Sequence, residues 1–299
     1  MEQKSVPREY VITRTKTDEL GEVERIMSKT NLRETEPPEF ITLDEAASMT
    51  SGTRVTFVPG IPAIFSEALK NICFVKGIPL TRVLHPPMGV DETTGADRQA
   101  KLYALTAQTS LPTMFHDQER PRSVWIEQLA LAERIGAHDA PMLIPSGFEQ
   151  RLELFGLCAI LLAEDGFVWN MRILIDSPLG QKYGYSKEAS AAAPGKMAEI
   201  IGIIDTRLDA QAQRGSSYLV GDALTAVDIY WATFSMSVLP PPAEIMPVTR
   251  QNRHMLRYFE ANSQIQDIAR ALTKRIETHQ RFILTTYCEC PAVLGGDPI

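Results

Sequence analysis

Apolar and polar residues alternate over Arg54-Val-Thr-Phe-Val58, a two-residue period that predicts a strand, closed by Pro59-Gly60. From Ile64 the period becomes helical. Phe65, Leu69, Ile72 and Cys73 share one face, and Gly77 stops the helix after Lys76. Leu80-Thr-Arg-Val-Leu84 predicts a second strand, so strand, helix and strand form a βαβ unit with a parallel pair. His85 through Ala96 is an irregular connection. Leu111-Pro-Thr-Met-Phe115 predicts a third short strand entered through a proline. His116 to Pro121 is a turn, with a very short fourth strand beyond it. Trp125 to Ile135 is helical and ends at Gly136, and Ala137 to Ser146 reads as a linker.

From Phe148 onward no strand pattern is present. Helices are predicted near 148–175 (interrupted at Gly166), 190–213, 225–238 and 252–282. Asp176 to Ser190 reads as a Gly/Pro/Ser/Tyr-rich loop, and Pro240-Pro-Pro242 forces an extended stretch. Residues 1–52 form an acidic extension with eleven acidic and seven basic residues. Glu36-Pro-Pro-Glu39 breaks any helix there, and Thr42 can cap a short one over Leu-Asp-Glu-Ala-Ala. The extension is expected to pack on the domain as an arm. The organisation predicted is an α/β domain at 53–136, a linker at 137–147, an all-helical domain at 148–290 and a tail at 291–299.

Composition agrees with this picture. The chain of 299 residues is long enough for two domains, and 44% hydrophobic with 22% charged residues is the balance of a soluble globular protein. A net charge of −7 argues against a nucleic-acid partner. No apolar run approaches the roughly 20 residues of a membrane span. Met-Glu-Gln-Lys-Ser has no apolar core for secretion, so a cytoplasmic protein is expected. Cys73 and Cys158 lie in apolar periodic segments and read as small core residues. Cys288-Glu-Cys290 has no nearby His, and the five histidines show no ligand-like spacing, so no metal site is read.

The most informative stretch is Tyr218-Leu-Val-Gly-Asp-Ala-Leu-Thr-Ala-Val-Asp-Ile-Tyr230. Thr225 as N-cap and Asp228 three residues on make a capping box with Asp in place of Glu, and Leu224 and Ile229 can staple it. Leu-Val-Gly-Asp followed by Thr-x-x-Asp-Ile resembles the core-helix capping box of the glutathione transferase family. The α/β order and the all-helical second half agree with that resemblance over about residues 53–285. It implies a thioredoxin-like N-terminal domain followed by an all-α domain, and a homodimer.

The resemblance also implies a ligand, glutathione, acting as co-substrate. Leu111-Pro112 matches the family's cis-proline position, where the backbone of the preceding residue pairs with the peptide ligand. Glu127 and Gln128 match the Glu-Ser that opens the family's next helix. There Glu127 would hold the γ-glutamyl ammonium and Gln128 the carboxylate, with the helix N-terminus favouring the anion. A solvated Glu-Gln pair on a helix surface is the plainer alternative.

The family activates the glutathione thiol with Tyr, Ser or Cys near the end of the first strand or start of the first helix. The matching position here is Ala63, and Phe57, Val58, Pro62 and Ile64 offer no side-chain donor either. Ser66, one turn further on, is the substitute the sequence offers; otherwise the thiolate relies on backbone N–H groups at the helix N-terminus. The electrophile pocket is expected between the domains, with Phe65, Trp169, Asn170 and Arg172 as its residues. Phe167, Tyr183 and Tyr185 are further candidates, and Trp169 reads equally well as plain core. The expected function is transfer of glutathione to a small hydrophobic electrophile, or its use in isomerisation or dehalogenation. The alternative is a non-catalytic ligand-binding protein of the same fold.

Overall fold

A computed structural model describes residues 39–294. The acidic stretch before Glu39, with its Glu36-Pro-Pro breaker, and the tail after Leu294 lie outside the described residues.

A four-stranded sheet forms from β1 (Phe40–Ile41), β2 (Thr53–Phe57), β3 (Leu80–Leu84) and β4 (Met114–His116), in the order β1-β3-β2-β4. Strand β2 lies parallel to β3, with Val55 opposite Arg82, and antiparallel to β4, with Val55 opposite Met114. All five residues of β2 are buried, as befits a strand paired on both edges and covered on both faces. Even Arg54 is enclosed; its guanidinium donates to the Met49, Ser51 and Asp117 carbonyls at 3.1, 3.0 and 2.8 Å.

Strand β1 comes from the segment preceding residue 53. Phe40 pairs with Arg82 and Ile41 with Val83, both in parallel. A short helix, α1 (Leu43–Ser48), follows, with Thr42 and Glu45 closing a capping box. The expected fourth strand after the 116–121 turn shrinks to one bridge between Met114 and Arg122.

Helix α2 (Ile64–Val75) crosses from β2 to β3, and Gly77, at φ +63°, takes the left-handed conformation after its C-cap. Helix α3 (Ala100–Thr106) was not anticipated in the connection to β4, and α4 (Trp125–Ile135) closes the α/β half.

The second half is entirely helical: α5 (Phe148–Leu162), α6 (Phe167–Arg172), α7 (Pro178–Lys182), α8 (Lys187–Ala212), α9 (Ala226–Ser235), α10 (Arg253–Ser263), α11 (Gln266–Ala271) and α12 (Lys274–Thr286). Gly166 separates α5 from α6. A Cβ there would meet the Ile160 and Ala163 carbonyl oxygens at 2.8 and 2.9 Å, so only glycine fits the turn. Helix α7 sits inside the stretch expected to be loop; Ser177 caps it and Pro178 takes its first position. The helix expected over 252–282 is three helices. Ile265 and Leu272 adopt extended backbone, and the Thr273 hydroxyl accepts from the Ile276 N–H, restarting the chain as α12.

Helix α9 is the centre of the molecule, with all ten residues buried. Its capping box closes through the Asp228 carboxylate, which accepts from the Thr225 N–H at 2.9 Å and from the Thr225 hydroxyl at 2.7 Å. The second oxygen accepts from the Leu219 N–H at 2.7 Å and lies 3.1 Å from His279 Nε2. Helix α9 also joins the two halves. Phe234 packs on Phe65 of α2 at 5.0 Å between ring centres, and Asn71 donates to the Thr233 hydroxyl at 3.3 Å. Cys73 and Cys158 are buried, as expected of small apolar residues.

Candidate functional site

The loop from Thr109 to Thr113 brings the backbone to the edge of the sheet. The Leu111–Pro112 peptide is cis. Thr113 continues the β2–β4 pairing: its N–H donates to Thr56 Oγ1 at 2.7 Å and its carbonyl accepts from the Thr56 N–H at 3.0 Å. One register step beyond, the Leu111 N–H and carbonyl have no hydrogen-bond partner among the described residues. An open donor and acceptor at the C-terminal end of β2 can take an extended peptide in the manner of an added strand.

Gln128 supports this loop from beneath. Its amide is buried and donates to the Pro112 carbonyl at 2.8 Å and the Arg122 carbonyl at 3.1 Å. These bonds commit the amide nitrogen to the protein backbone. Glu127, beside it in the first turn of α4, is partly exposed, and Arg120 spans its carboxylate at 2.7 and 3.3 Å. The hydrogen bond from Arg120 lowers its carboxyl below the usual range.

Ala63 caps α2 without a side-chain hydrogen bond. Ser66 is fully buried, and its hydroxyl donates inward to the Thr56 carbonyl at 3.3 Å. Neither residue aims a hydroxyl at the open end of the sheet.

Across from α2, the helical half contributes an aromatic and cationic group. The Arg172 guanidinium carbon lies 4.7 Å from the Phe65 ring centre and 4.1 Å from that of Tyr183. Tyr183 stands edge-on to Trp169 at 5.1 Å, and its hydroxyl shares a 2.7 Å hydrogen bond with Ser110, the residue before Leu111. Lys182 lies 5.9 Å from the same ring and donates to Thr109 Oγ1 at 2.9 Å. Burial lowers the pKa of Arg172. Lys182 is lowered as well, first by burial and then by the Arg172 charge. His85, at the end of β3, is held down to about 4 by burial and by Lys182.

Phe65, Trp169 and Arg172 therefore gather next to the Leu111 edge. Asn170 does not face this group. Its amide donates to the Asp165 and Gly166 carbonyls at 2.7 and 2.9 Å and secures the turn between α5 and α6, where Asp165 has φ +62°. Phe167 packs in the core on Trp231. Ser110, Lys182, His85 and Arg120 were not singled out from the sequence. Only Ser110 carried a signal, its place just ahead of Leu111-Pro112. Two surface depressions lie elsewhere, one along α12 at Lys274–Thr285 and one between α1 and β4 near Met49 and Phe115.

No family model matches the chain, and no curated protein does. Among solved structures, Ure2p in complex with glutathione is similar at 10% identity, over 75% of this chain and 99% of that one, with a TM-score of 0.49. The beta-etherase LigF from Sphingobium sp. strain SYK-6 is similar at 13% identity, over 75% and 98%, with a TM-score of 0.48. A beta class glutathione S-transferase from Sphingomonas chungbukensis is similar at 17% identity, over 76% and 98%, with a TM-score of 0.47. The strand order, the closed capping box on a buried central helix and the all-helical second half are those of a thioredoxin-like domain followed by an all-α domain. The chain has the fold of the glutathione transferases.

Proposed function

We propose that the chain binds glutathione along the Leu111 edge of the sheet and presents its sulfur to the junction of α2 with the helical half, where a small electrophile is transformed. The open N–H and carbonyl of Leu111 carry this reading. They stand beside the first turn of α2, whose unpaired N–H groups favour an anion, and beside the apolar wall of Phe65 and Trp169. Glu127, in the first turn of α4 next to the Gln128 that braces this loop, supplies a carboxylate for the γ-glutamyl ammonium. The exposed Val124, Ile126, Phe148 and Leu152 support a homodimer as the working assembly.

A second reading, a ligand-binding protein without turnover, is favoured by one observation: the α2 N-terminus offers no hydroxyl or thiol. A helix N-terminus supplies about 0.3–1 kcal/mol to a thiolate, less than one pKa unit. The two readings separate in one experiment. Thiolate absorbance of bound glutathione is followed against pH, alongside conjugation of 1-chloro-2,4-dinitrobenzene. A transferase shows a lowered thiol pKa and slow turnover. Ser66→Ala leaves both unchanged, and Ala63→Ser lowers the pKa further. Bound glutathione with an unshifted thiol and no turnover would establish the binding protein instead.

A further inference from the structure

Arg172 and Lys182 stand together as two cations on one ring. Both approach the ring of Tyr183, Arg172 from 4.1 Å and Lys182 from 5.9 Å. No Asp or Glu forms an ion pair with either among the described residues. Two enclosed lysines are neutralised by carboxylates, Lys70 by Glu67 at 3.0 Å and Glu289 at 2.5 Å and Lys76 by Glu133 at 3.2 Å, and the enclosed Arg54 is met by three backbone carbonyls. Placing a guanidinium out of water beside a second positive charge is unfavourable unless an anion completes the group. Contacts with the Phe65 and Tyr183 rings offset part of that penalty and hold the guanidinium in place. Besides its contact with the Tyr183 hydroxyl, the guanidinium has N–H groups in the plane between the rings that can take a carboxylate in two-point fashion. The half-buried Phe65 ring, beside the guanidinium, is the apolar surface on which the body of such an anion would rest.

We infer that the second substrate is an anion, a carboxylate carried on an apolar or aromatic body, whose carboxylate is clamped by Arg172 from within and by Lys182 from the rim. This rests on the reading that glutathione occupies the Leu111 edge, and it names the class of electrophile for that site. Arg172 supplies the oriented contact. Lys182, which is solvent-exposed, supplies attraction that salt screens.

Calorimetry with two product-like conjugates tests it, S-(4-carboxybenzyl)glutathione against S-benzylglutathione. The carboxylated conjugate should bind at least tenfold more tightly. Arg172→Met should abolish that advantage, and Lys182→Met, on the surface and harmless to folding, should reduce it and flatten its salt dependence. Melting curves confirm that each variant is folded. Equal affinity for the two conjugates overturns the clamp and leaves the glutathione site standing. A loss in Arg172→Met as large for plain glutathione as for the carboxylated conjugate also overturns it, because the cations then hold glutathione's own carboxylate. If neither conjugate nor glutathione binds, benzoate is compared with benzamide on the same proteins. Benzoate binding that depends on Arg172 then sustains the clamp without the glutathione site, and its absence overturns both.

Discussion

The Gln128 amide donates to the Pro112 carbonyl at 2.8 Å, tying the first turn of α4 to the loop that presents Leu111. The residue that the family resemblance casts as a ligand contact is thus first a brace for the loop that carries Leu111. Gln128→Ala removes this bond and the one to Arg122, leaving the Pro112 carbonyl without a donor while the Arg122 carbonyl keeps the Met114 N–H at 2.8 Å. A loss of about 1–3 kcal/mol in unfolding free energy is expected without any ligand, measured by urea denaturation. Unchanged stability with weakened glutathione binding would show instead that the amide serves the ligand.

Asp228 gathers three donors and the His279 ring on one carboxylate, so it should matter more than an ordinary cap. Thr225→Ala should destabilise by about 1 kcal/mol, the size of a lost N-cap. Asp228→Ala strands the buried Leu219 and Thr225 N–H groups and should lose roughly 3 kcal/mol or more. Neither change touches the Leu111 edge, so ligand affinity of folded protein should hold. Equal losses in the two variants would mean that the Leu219 bond contributes nothing.

Local patterns made the βαβ unit and the α9 box legible, because each is written in adjacent residues: a two-residue period at 54–58, an apolar stripe over Phe65, Leu69, Ile72 and Cys73, and Thr225 three residues before Asp228. Strand β1 was hidden because two residues carry no period, and its pairing to Arg82 and Val83 is a tertiary fact. The break before α12 was hidden because Thr273 reads as an ordinary helix residue until its hydroxyl is seen capping Ile276. Ser177-Pro178, by contrast, was a readable helix start passed over inside a Gly/Pro-rich stretch. In the site, Phe65, Trp169 and Arg172 were picked out by position along the chain. The inward turn of Ser66, the bracing by Gln128 and the turn-binding of Asn170 depend on which side of a helix meets which neighbour, and no spacing rule carries that.

Acid should weaken the fold through His85. Above pH 6.5 the ring is neutral in both states and adds no pH dependence. As pH falls below 6.5 the unfolded chain takes up a proton that the folded protein refuses until about pH 4, so stability drops across that window. The drop attributable to this site is at most about 3 kcal/mol. His85→Gln should flatten the unfolding free energy between pH 6.5 and 4 relative to the native chain. Parallel curves for the two proteins would remove His85 as the cause.

Whether the Leu111 edge holds glutathione is decided by calorimetry on the unmutated protein, with Glu127→Ala and Arg120→Ala alongside. Binding at millimolar glutathione or below is expected. Glu127→Ala should weaken it by about 1.5–3 kcal/mol, the loss of a charged hydrogen bond. Arg120→Ala should strengthen it, since the ligand ammonium no longer competes with a guanidinium for the Glu127 carboxylate. No heat of binding from the unmutated protein at millimolar glutathione would contradict the claim that the Leu111 edge is a glutathione site.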